Sequence, residues 1–254
     1  MPLIMLLGLL LSPFARSEST ACASTHFHEK VNIKKVIDGD TVVLTDERHV
    51  RLVGIDTPEI YHDGRPAEAG AVKAKQQLQA LMTGTRFIGL RRDAERQDRH
   101  GRTLAHLFLP DGTNVQAALL ADGLAMPLFI PPSVLYAECY AGVAASARST
   151  GNGLWSLPEF QPLPVKSLGG DERGFHILRG KVRYLSDSRS AVWINLENNV
   201  ALRITRPDLP YFPDDFFNRL PGQNVEARGW LYEHNDQLRM RLRFPLDLSI
   251  IETE

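Results

Sequence analysis

The sequence predicts two domains, an α+β domain followed by a mostly β domain. Between residues 31 and 156, short alternating strands are interrupted by three stretches with helical periodicity. Residues 157–171 then contain three prolines and a Gly-Gly pair, a composition typical of a linker. Beyond this linker, five short alternating segments follow one another with little helical pattern. At 254 residues, the chain is long enough for each domain to bury a core.

The overall charge gives no general attraction to nucleic acid. The formal net charge is -1, and 23% of the residues are charged. Any contact with nucleic acid must therefore come from local basic patches rather than from the field of the whole protein.

The first 21 residues have the pattern of a secretory signal peptide. An apolar run from Leu3 to Leu11 is too short for an ordinary transmembrane helix, and small residues suited to signal cleavage follow it. We therefore expect residues 1–21 to be a signal peptide and the protein to be periplasmic or secreted, without stable membrane insertion. A buried amino-terminal helix is the alternative, since no basic residues precede the apolar run.

The chain contains two cysteines, Cys22 and Cys139. In an oxidising compartment an isolated pair is more often joined than free. We therefore predict a disulfide that ties the amino-terminal arm to a late helix, with two unrelated thiols as the alternative. Lipidation of Cys22 is a minor alternative, because a lipoprotein signal favours an aliphatic residue where Ser19 stands.

The elements of the first domain are predicted in chain order from their periodicity. A hairpin pattern surrounds an Asp-Gly turn, and an amphipathic helix ends at Gly84. In order, the pattern predicts a hairpin over 31–44, a strand over 50–55, a helix over 66–82, strands over 86–90 and 104–109, and helices over 114–125 and 133–149.

The second domain is predicted from alternating segments alone. They indicate strands over 175–184, 191–196, 200–205, 224–232 and 237–244, with a short helix over 213–220. Five strands with a helix between the third and the fourth is the plan of the oligonucleotide/oligosaccharide-binding (OB) barrel. Residues 172–254 are therefore expected to form an OB-like β-barrel.

Three short polar clusters in the first domain, residues 38–41, 56–59 and 98–102, carry with Arg51 the residue types that phosphodiester hydrolysis needs. Asp40 and Asp56 offer hard oxygen donors suited to calcium or magnesium rather than zinc. Glu59, three residues after Asp56, can orient or deprotonate a water molecule. Arg51 and Arg102 present planar guanidinium groups that match phosphate oxygens.

Each cluster taken alone also has a structural explanation. Asp38-Gly39 is a common turn pair, and Thr57-Pro58-Glu59 has the residues of a helix start. Arg51 on an apolar strand could instead form an ion pair with Glu59. The order and spacing of the three clusters together favour a catalytic site.

Three motifs of the first domain occur in the order of a known family. They are IDGDTVVL, VRLVGIDTPE and DRHGRTLAHLFLPDGTNVQAALLADGLA, followed by GNGLW. With these motifs, residues 28–156 resemble the staphylococcal nuclease (thermonuclease) family. The resemblance implies a five-stranded OB-type barrel with three helices that binds one calcium ion. It also implies cleavage of DNA and RNA by water attack, leaving 3′-phosphate and 5′-hydroxyl ends.

The resemblance further implies a role for each matching residue. The implied roles are calcium binding for the carboxylates of Asp40 and Asp56 and the backbone carbonyl of Thr57, general base catalysis for Glu59, and phosphate binding for Arg51 and Arg102.

The sequence departs from the family around the nucleotide pocket. Where the family has two tyrosines, this chain offers Phe129, which can stack on a base but lacks a hydroxyl group. The loop over residues 60–65 is shorter than in the family. Arg99 stands where a lysine of the family faces a terminal phosphate, so Arg99 and Phe129 are expected to contact substrate.

The second domain contains basic residues at alternating positions. Arg239, Arg241 and Arg243 alternate with apolar residues, which on a strand places three guanidinium groups on one face. Such a face suits a groove that follows a phosphate backbone. An ordinary solvated sheet face is the alternative.

These observations predict an exported, monomeric, calcium-dependent nuclease whose partners are DNA, RNA or both. A non-catalytic module that binds nucleic acid or protein on a nuclease-like fold is the alternative. An exported adaptor whose second domain binds a protein or glycan is a third possibility. Retention of Glu59, both arginines and both aspartates of the clusters favours the enzyme.

Overall fold

The computed structural model describes residues 22–61, 63–170 and 172–252. The predicted signal peptide, residues 1–21, lies outside the described residues. Within the described ranges, every helix is too short or too polar to cross a lipid bilayer.

The first domain combines a curled β-sheet with three α-helices, as far as the described residues go. Its strands are β1 (Glu29–Val31), β2 (Ile33–Val36), β3 (Thr41–Leu44), β4 (His49–Leu52), β5 (Ile55–Asp56), β6 (Ile88–Gln97), β7 (Thr103–Phe108) and β8 (Met126–Pro127). Its helices are α1 (Ala71–Met82), α2 (Val115–Ala121) and α3 (Ala137–Ser149).

The sheet curls because one stretch of chain lies at both of its edges. The strands pair in the order β1-β6-β7-β4-β3-β2. Only Asn32 separates β1 from β2, yet β1 pairs with β6 while β2 pairs with β3. The buried core lies between this sheet and the helices, with Leu78 of α1, Leu119 of α2 and Tyr140 of α3 almost fully buried.

Two helices begin later than the periodicity predicts. Helix α1 begins at Ala71 rather than at Pro66, because Gly70 adopts a left-handed conformation with φ of 90°. A Cβ at Gly70 would lie 2.5 Å from Leu154, so glycine is required there. Helix α3 begins at Ala137 rather than at Ser133, because Ser133 N donates to Ile130 O (3.1 Å) in a turn that precedes the helix.

The second domain is mostly β. Its strands are β9 (Leu163–Pro164), β10 (Gly174–Asp187), β11 (Ala191–Leu196), β12 (Val200–Thr205), β13 (Asn224–His234), β14 (Gln237–Arg241) and β15 (Leu248–Ile251). Neighbours pair in the order β15-β13-β14-β12-β11-β10-β9, and β13 also pairs with β10. Strand β9, which lies inside the predicted linker, pairs in parallel with β10.

The short helix predicted over residues 213–220 is wrong as an α-helix. That segment holds a single 3₁₀ turn, Phe217–Arg219, and an earlier 3₁₀ turn covers Leu209–Tyr211. The rings of Phe212 and Phe216 pack edge to face, with 5.0 Å between their centroids. Packing of these aromatic rings therefore holds the segment in irregular turns.

The two domains are joined by apolar and ionic contacts. Phe129 of the first domain packs against Phe244 of the second, with 5.7 Å between ring centroids, and the Arg228 guanidinium lies 5.6 Å from the Phe129 centroid. Arg148 of α3 donates to both carboxylate oxygens of Glu226 on β13. The second domain is therefore packed onto the first through specific residues.

A disulfide joins Cys22 to Cys139 of α3. The arm that follows Cys22 is also held by hydrogen bonds: Ser24 N donates to Gly112 O (3.0 Å), and Asn114 Nδ2 donates to Cys22 O (3.3 Å). The amino-terminal end of the described chain is thereby fixed to the turn before α2 and to α3.

His106 of β7 is a buried histidine that links stability to pH. It is 1% exposed, with Nδ1 2.8 Å from the Tyr140 hydroxyl and Nε2 3.1 Å from Asp93 Oδ2. Burial lowers the pKa of His106 below its usual range, although Asp93 acts in the opposite direction. The folded state therefore favours the neutral imidazole.

We expect the stability advantage of the wild type over a His106→Gln variant to shrink as the pH falls. Because the folded pKa lies below the unfolded value of about 6.5, the unfolded chain binds the proton first as the pH drops through that value. Urea unfolding of both proteins from about pH 7.5 to about pH 5 measures this difference. A difference in stability between the two proteins that stays constant over this range would contradict the expectation.

Candidate active site

A tight hairpin between β2 and β3 positions Asp40. Ile37 N donates to Thr41 O (2.9 Å), and Asp40 N donates to the Asp38 carboxylate (3.0 Å). A Cβ at Gly39 would lie 2.7 Å from both Ala74 Cβ and Thr57 Oγ1, so only glycine lets the hairpin pack this closely against α1 and Thr57.

Asp40 is held in place by hydrogen bonds from its neighbours. It is 4% exposed, and its Oδ2 accepts from Thr57 N (3.0 Å) and Thr57 Oγ1 (3.1 Å). Its Oδ1 accepts from Thr41 Oγ1 (3.1 Å). These bonds join the hairpin to the segment that carries Asp56 and Thr57.

Arg51 of β4 forms ion pairs with both aspartates at once. Its Nη1 lies 2.8 Å from Asp40 Oδ2, and its Nη2 lies 2.7 Å from Asp56 Oδ1. Nη1 also donates to the carbonyl oxygens of Leu52 (3.2 Å) and Ile55 (3.1 Å). The sequence allowed an ion pair between Arg51 and Glu59. In the structure Arg51 pairs with Asp40 and Asp56 instead.

The buried cluster of Asp40, Asp56 and Arg51 holds more negative charge than the arginine compensates. Burial raises the pKa of Asp56 to about 7, although Arg51 acts to lower it, and burial likewise raises the pKa of Asp40. Burial acts to lower the pKa of Arg51, but the charges of Asp40 and Asp56 outweigh it and raise that pKa. A further cation would therefore be stabilised beside the two carboxylates.

The donor atoms of this cluster fit a hard cation. Asp40, Asp56 and the carbonyl of Thr57 offer oxygen alone, which suits calcium or magnesium. The described residues contain no group of three or more His, Cys, Asp or Glu side chains placed to hold a metal. The rest of a coordination shell would thus have to come from carbonyl oxygens, water and substrate.

Glu59 is exposed, close in space to Asp56 and Thr57. It lies in a loop that Glu68 closes. Glu59 N donates to Glu68 Oε2 (2.9 Å), and Glu68 N donates to Glu59 O (3.0 Å). The hydroxyl of Tyr61 donates to Glu68 Oε1 (2.6 Å). Partial burial, followed by the charges of Asp40 and Asp38, raises the pKa of Glu59 above its usual range.

Arg102 is positioned by Asp98. Its Nε donates to Asp98 Oδ2 (2.7 Å), and its backbone N donates to Asp98 Oδ1 (3.0 Å). His100 N donates to the same Oδ1 (2.9 Å), and Gly101 adopts φ of 78° to close the turn. These hydrogen bonds outweigh burial and hold the pKa of Asp98 below its usual range.

Two cavities lie on either side of the Arg51–Asp56 ion pair. We call the first the arginine cavity; it has a volume of about 470 Å³. The second, the carboxylate cavity, has a volume of about 580 Å³. The arginine cavity is lined by residues that include Arg51, Arg99, Arg102 and Arg243. The carboxylate cavity is lined by residues that include Asp56, Thr57, Glu59, Glu68, Phe175 and Trp230.

The three arginines that the sequence placed on one strand face have different neighbours in the structure. Arg243 lines the arginine cavity. The guanidinium of Arg241 donates to Asp208 Oδ2 (2.7 Å), and that of Arg239 lies 4.8 Å from the centroid of the Trp193 ring. Leu238, Met240 and Leu242 are buried and the arginines that alternate with them are not, so the predicted alternation continues past the end of β14, and phosphate binding by the three arginines stays a prediction.

The other two predicted substrate contacts differ in exposure. Arg99 is exposed at the rim of the arginine cavity, with its Nε 3.1 Å from His100 Nε2. Phe129 is 1% exposed because Phe244 and Arg228 cover its ring. The prediction that Phe129 stacks on a base is wrong for this structure.

Sequence reasoning missed two residues that hold the site together. Asp98 fixes Arg102, and Glu68 closes the Glu59 loop. The spacing Asp98-x-x-Gly101-Arg102 is a signal for the first, because an aspartate followed by a turn glycine often caps its own loop. The role of Glu68 has no comparable local signal.

The first domain is similar in sequence to known proteins. Residues 49–157 match the family model of the staphylococcal nuclease homologues. The chain is 32% identical over 148 residues to a thermonuclease of Staphylococcus intermedius, covering 56% of this chain and 83% of that protein. It is 30% identical over 126 residues to a thermonuclease of Staphylococcus hyicus, covering 48% and 73%. It is also 29% identical over 154 residues to an uncharacterized endonuclease of Escherichia coli, covering 59% and 89%. The chain therefore belongs to the staphylococcal nuclease family.

Proposed function

We propose that the protein is a calcium-dependent nuclease that hydrolyses phosphodiester bonds of DNA, RNA or both. The observation that carries this proposal is the buried cluster in which Arg51 pairs with both Asp40 and Asp56. Glu59 lines the carboxylate cavity together with Asp56, and Arg102 lines the arginine cavity together with Arg51. Relatives named thermonuclease and endonuclease support the same reaction class.

Two arginines would bind the phosphate that reacts. Arg102 is oriented by Asp98, and both Arg102 and Arg51 line the arginine cavity. Planar guanidinium groups match phosphate oxygens and stabilise the charge that develops on them in the transition state. Arg51 must give up at least one of its two aspartate partners before it can bind a phosphate oxygen in this way.

Glu59 would act as the general base. Its raised pKa brings the carboxylate closer to the proton affinity that efficient proton transfer near neutral pH requires. It takes a proton from water as the water oxygen attacks phosphorus and the bond to the 5′ oxygen breaks. The products are a 3′-phosphate and a 5′-hydroxyl. The leaving 5′ oxygen gains one proton, and this balances the proton that Glu59 takes from water and afterwards releases.

Asp40, Asp56 and the carbonyl of Thr57 would hold the calcium ion. When bound, calcium would supply positive charge beside the reacting phosphate. The two carboxylates provide the negative charge that makes this place favourable for a divalent cation, as their raised pKa values indicate.

We also propose that the protein acts as an exported monomer and that its second domain is an OB-like barrel. The apolar amino-terminal run and the disulfide between Cys22 and Cys139 support export. Pairing of β13 with both β14 and β10 supports closure of the five main strands into a barrel.

Incubation of the purified protein with single-stranded DNA and with RNA tests the proposal. We expect cleavage with calcium and none with a chelator, because the two carboxylates need a divalent cation beside the phosphate. The new ends are identified by whether a phosphatase must act on the 3′ end before it can be extended. Binding without cleavage in calcium would instead support a non-catalytic nucleic-acid-binding module.

A further inference from the structure

Arg243 brings a cation of the second domain into the arginine cavity, where Arg51 and Arg102 also lie. Its backbone is fixed from the second domain, because Leu242 N donates to Arg203 O (2.9 Å) and Arg243 N donates to Asp247 Oδ2 (3.1 Å). The neighbouring contact between Phe129 and Phe244 packs the same segment onto the first domain. The position of Arg243 in the cavity is thus set by both domains.

Of the three carboxylates whose charges act on Arg243, those of Asp208 and Asp247 accept hydrogen bonds from other groups. Asp208 Oδ2 accepts from Arg241 and from the Thr205 hydroxyl (2.6 Å), and its Oδ1 lies 3.9 Å from Arg243 Nε. Asp247 Oδ2 accepts the backbone N–H groups of Arg243 and Phe244. Glu95, across the cavity, is exposed.

The guanidinium of Arg243 is therefore only partly compensated. Its Nε is buried with no hydrogen-bond partner in the described part of the chain. Burial, followed by the charge of Arg241, lowers the pKa of Arg243 below its usual range, so the charged group is held at a cost. A guanidinium that lines a cavity, with its nearest carboxylate oxygen beyond hydrogen-bond distance, is stabilised when an anion in the cavity pairs with it.

We propose that Arg243 binds a backbone phosphate next to the one that is cleaved, so that the second domain supplies part of the substrate-binding site. This rests on the proposed function, in which Arg51 and Arg102 bind the reacting phosphate. A cavity of about 470 Å³ is of the size that holds a ligand much larger than a single phosphate group. A continuous nucleic-acid strand offers such a second phosphate at a fixed distance from the first.

Comparison of a short and a long substrate tests this inference. A dinucleotide has a single internal phosphodiester, whereas an octanucleotide has further phosphates on either side of the one cleaved. We expect Arg243→Met to raise KM for the octanucleotide about tenfold and to raise KM for the dinucleotide much less. Arg243→Lys, which keeps the charge but loses the planar group, should show a smaller rise. The exposed Arg183 of the same domain provides the control, since Arg183→Met should change neither substrate.

Salt-dependent binding gives a readout that does not depend on cleavage. The octanucleotide is titrated in chelator, where no turnover is expected, against the wild type and Arg243→Met. Loss of one phosphate contact should reduce the slope of log affinity against log salt by about 0.7. An unchanged slope, or an equal loss of activity on both substrates, would overturn the inference. Absence of cleavage by the wild type would overturn the proposed function instead, and the salt slope would still decide the role of Arg243.

Discussion

The Glu59→Gln variant is expected to lose about 100- to 10,000-fold in kcat for single-stranded DNA in calcium. The glutamine has nearly the same shape as glutamate but cannot take a proton from water. Binding of the oligonucleotide should be retained, because the arginines that line the arginine cavity are untouched. Single-turnover cleavage measured together with equilibrium binding separates the two effects.

Glu159 provides the matched control for Glu59. It lines the same carboxylate cavity and is also exposed, but it has no assigned part in the proposed reaction. Glu159→Gln should cleave at close to the wild-type rate. Equal losses in the two variants would show that the cavity needs negative charge in general, and the assignment of Glu59 as the base would be wrong.

The Arg51→Met variant is expected to be destabilised by about 3–5 kcal/mol without calcium and to lose at least about 100-fold in cleavage. Removal of the guanidinium leaves Asp56 without its ion pair and Asp40 with only the neutral donors of Thr41 and Thr57. Without the charge of Arg51, the folded-state pKa values of both carboxylates rise further than in the wild type, so the stability deficit should shrink as the pH falls. Calcium should raise the melting temperature of the variant more than that of the wild type, because no guanidinium competes for the carboxylates.

Arg48 provides a control of the same design at the surface. Its Nη2 lies 2.7 Å from Glu29 and 2.8 Å from Asp46, so it too contacts two carboxylates, but 34% of its side chain is exposed against 13% for Arg51. Arg48→Met should cost only about 0–1 kcal/mol and should leave cleavage and the calcium response unchanged. Urea unfolding of the wild type and both variants, with and without calcium, gives the six free energies of unfolding that are compared. A similar loss of unfolding free energy in both variants would contradict the view that burial makes the ion pairs of Arg51 more important for stability than those of Arg48.

The part of the site that the sequence predicts well is the part made by local structure. Asp40, Arg51 and Asp56 lie within one run of hairpin and strands, so hydrophobic alternation and turn residues suffice to bring them together. The strands over 191–196 and 200–205 were also predicted at their observed bounds, because each is bordered by turn residues. The catalytic roles of these side chains remain predictions that the experiments above test.

The parts that the sequence did not predict depend on contacts between distant segments. Phe129 is covered by Phe244 and Arg228 of the second domain, and no local pattern encodes that packing. The alternating exposure of Arg241 and Arg243 is as the sequence predicts, but their shared proximity to Asp208 has no local signal. From the sequence, Glu68 is an ordinary solvated loop residue. Its hydrogen bond with Glu59 becomes evident only in the folded loop.

The disulfide between Cys22 and Cys139 has a consequence for where the protein can work. The two cysteines are 117 positions apart, and every residue proposed to act in catalysis lies between them. A cross-link over a loop of this length is expected to remove about 4–5 kcal/mol of chain entropy from the unfolded state, on the chain-entropy account. In a reducing compartment the disulfide is absent, so the unfolded chain between the two cysteines regains this entropy. Reduction of the disulfide should therefore lower the free energy of unfolding of the domain that carries the proposed catalytic residues, and a reducing cytosol, which holds the cell's own nucleic acid, is where we expect the protein to be less stable.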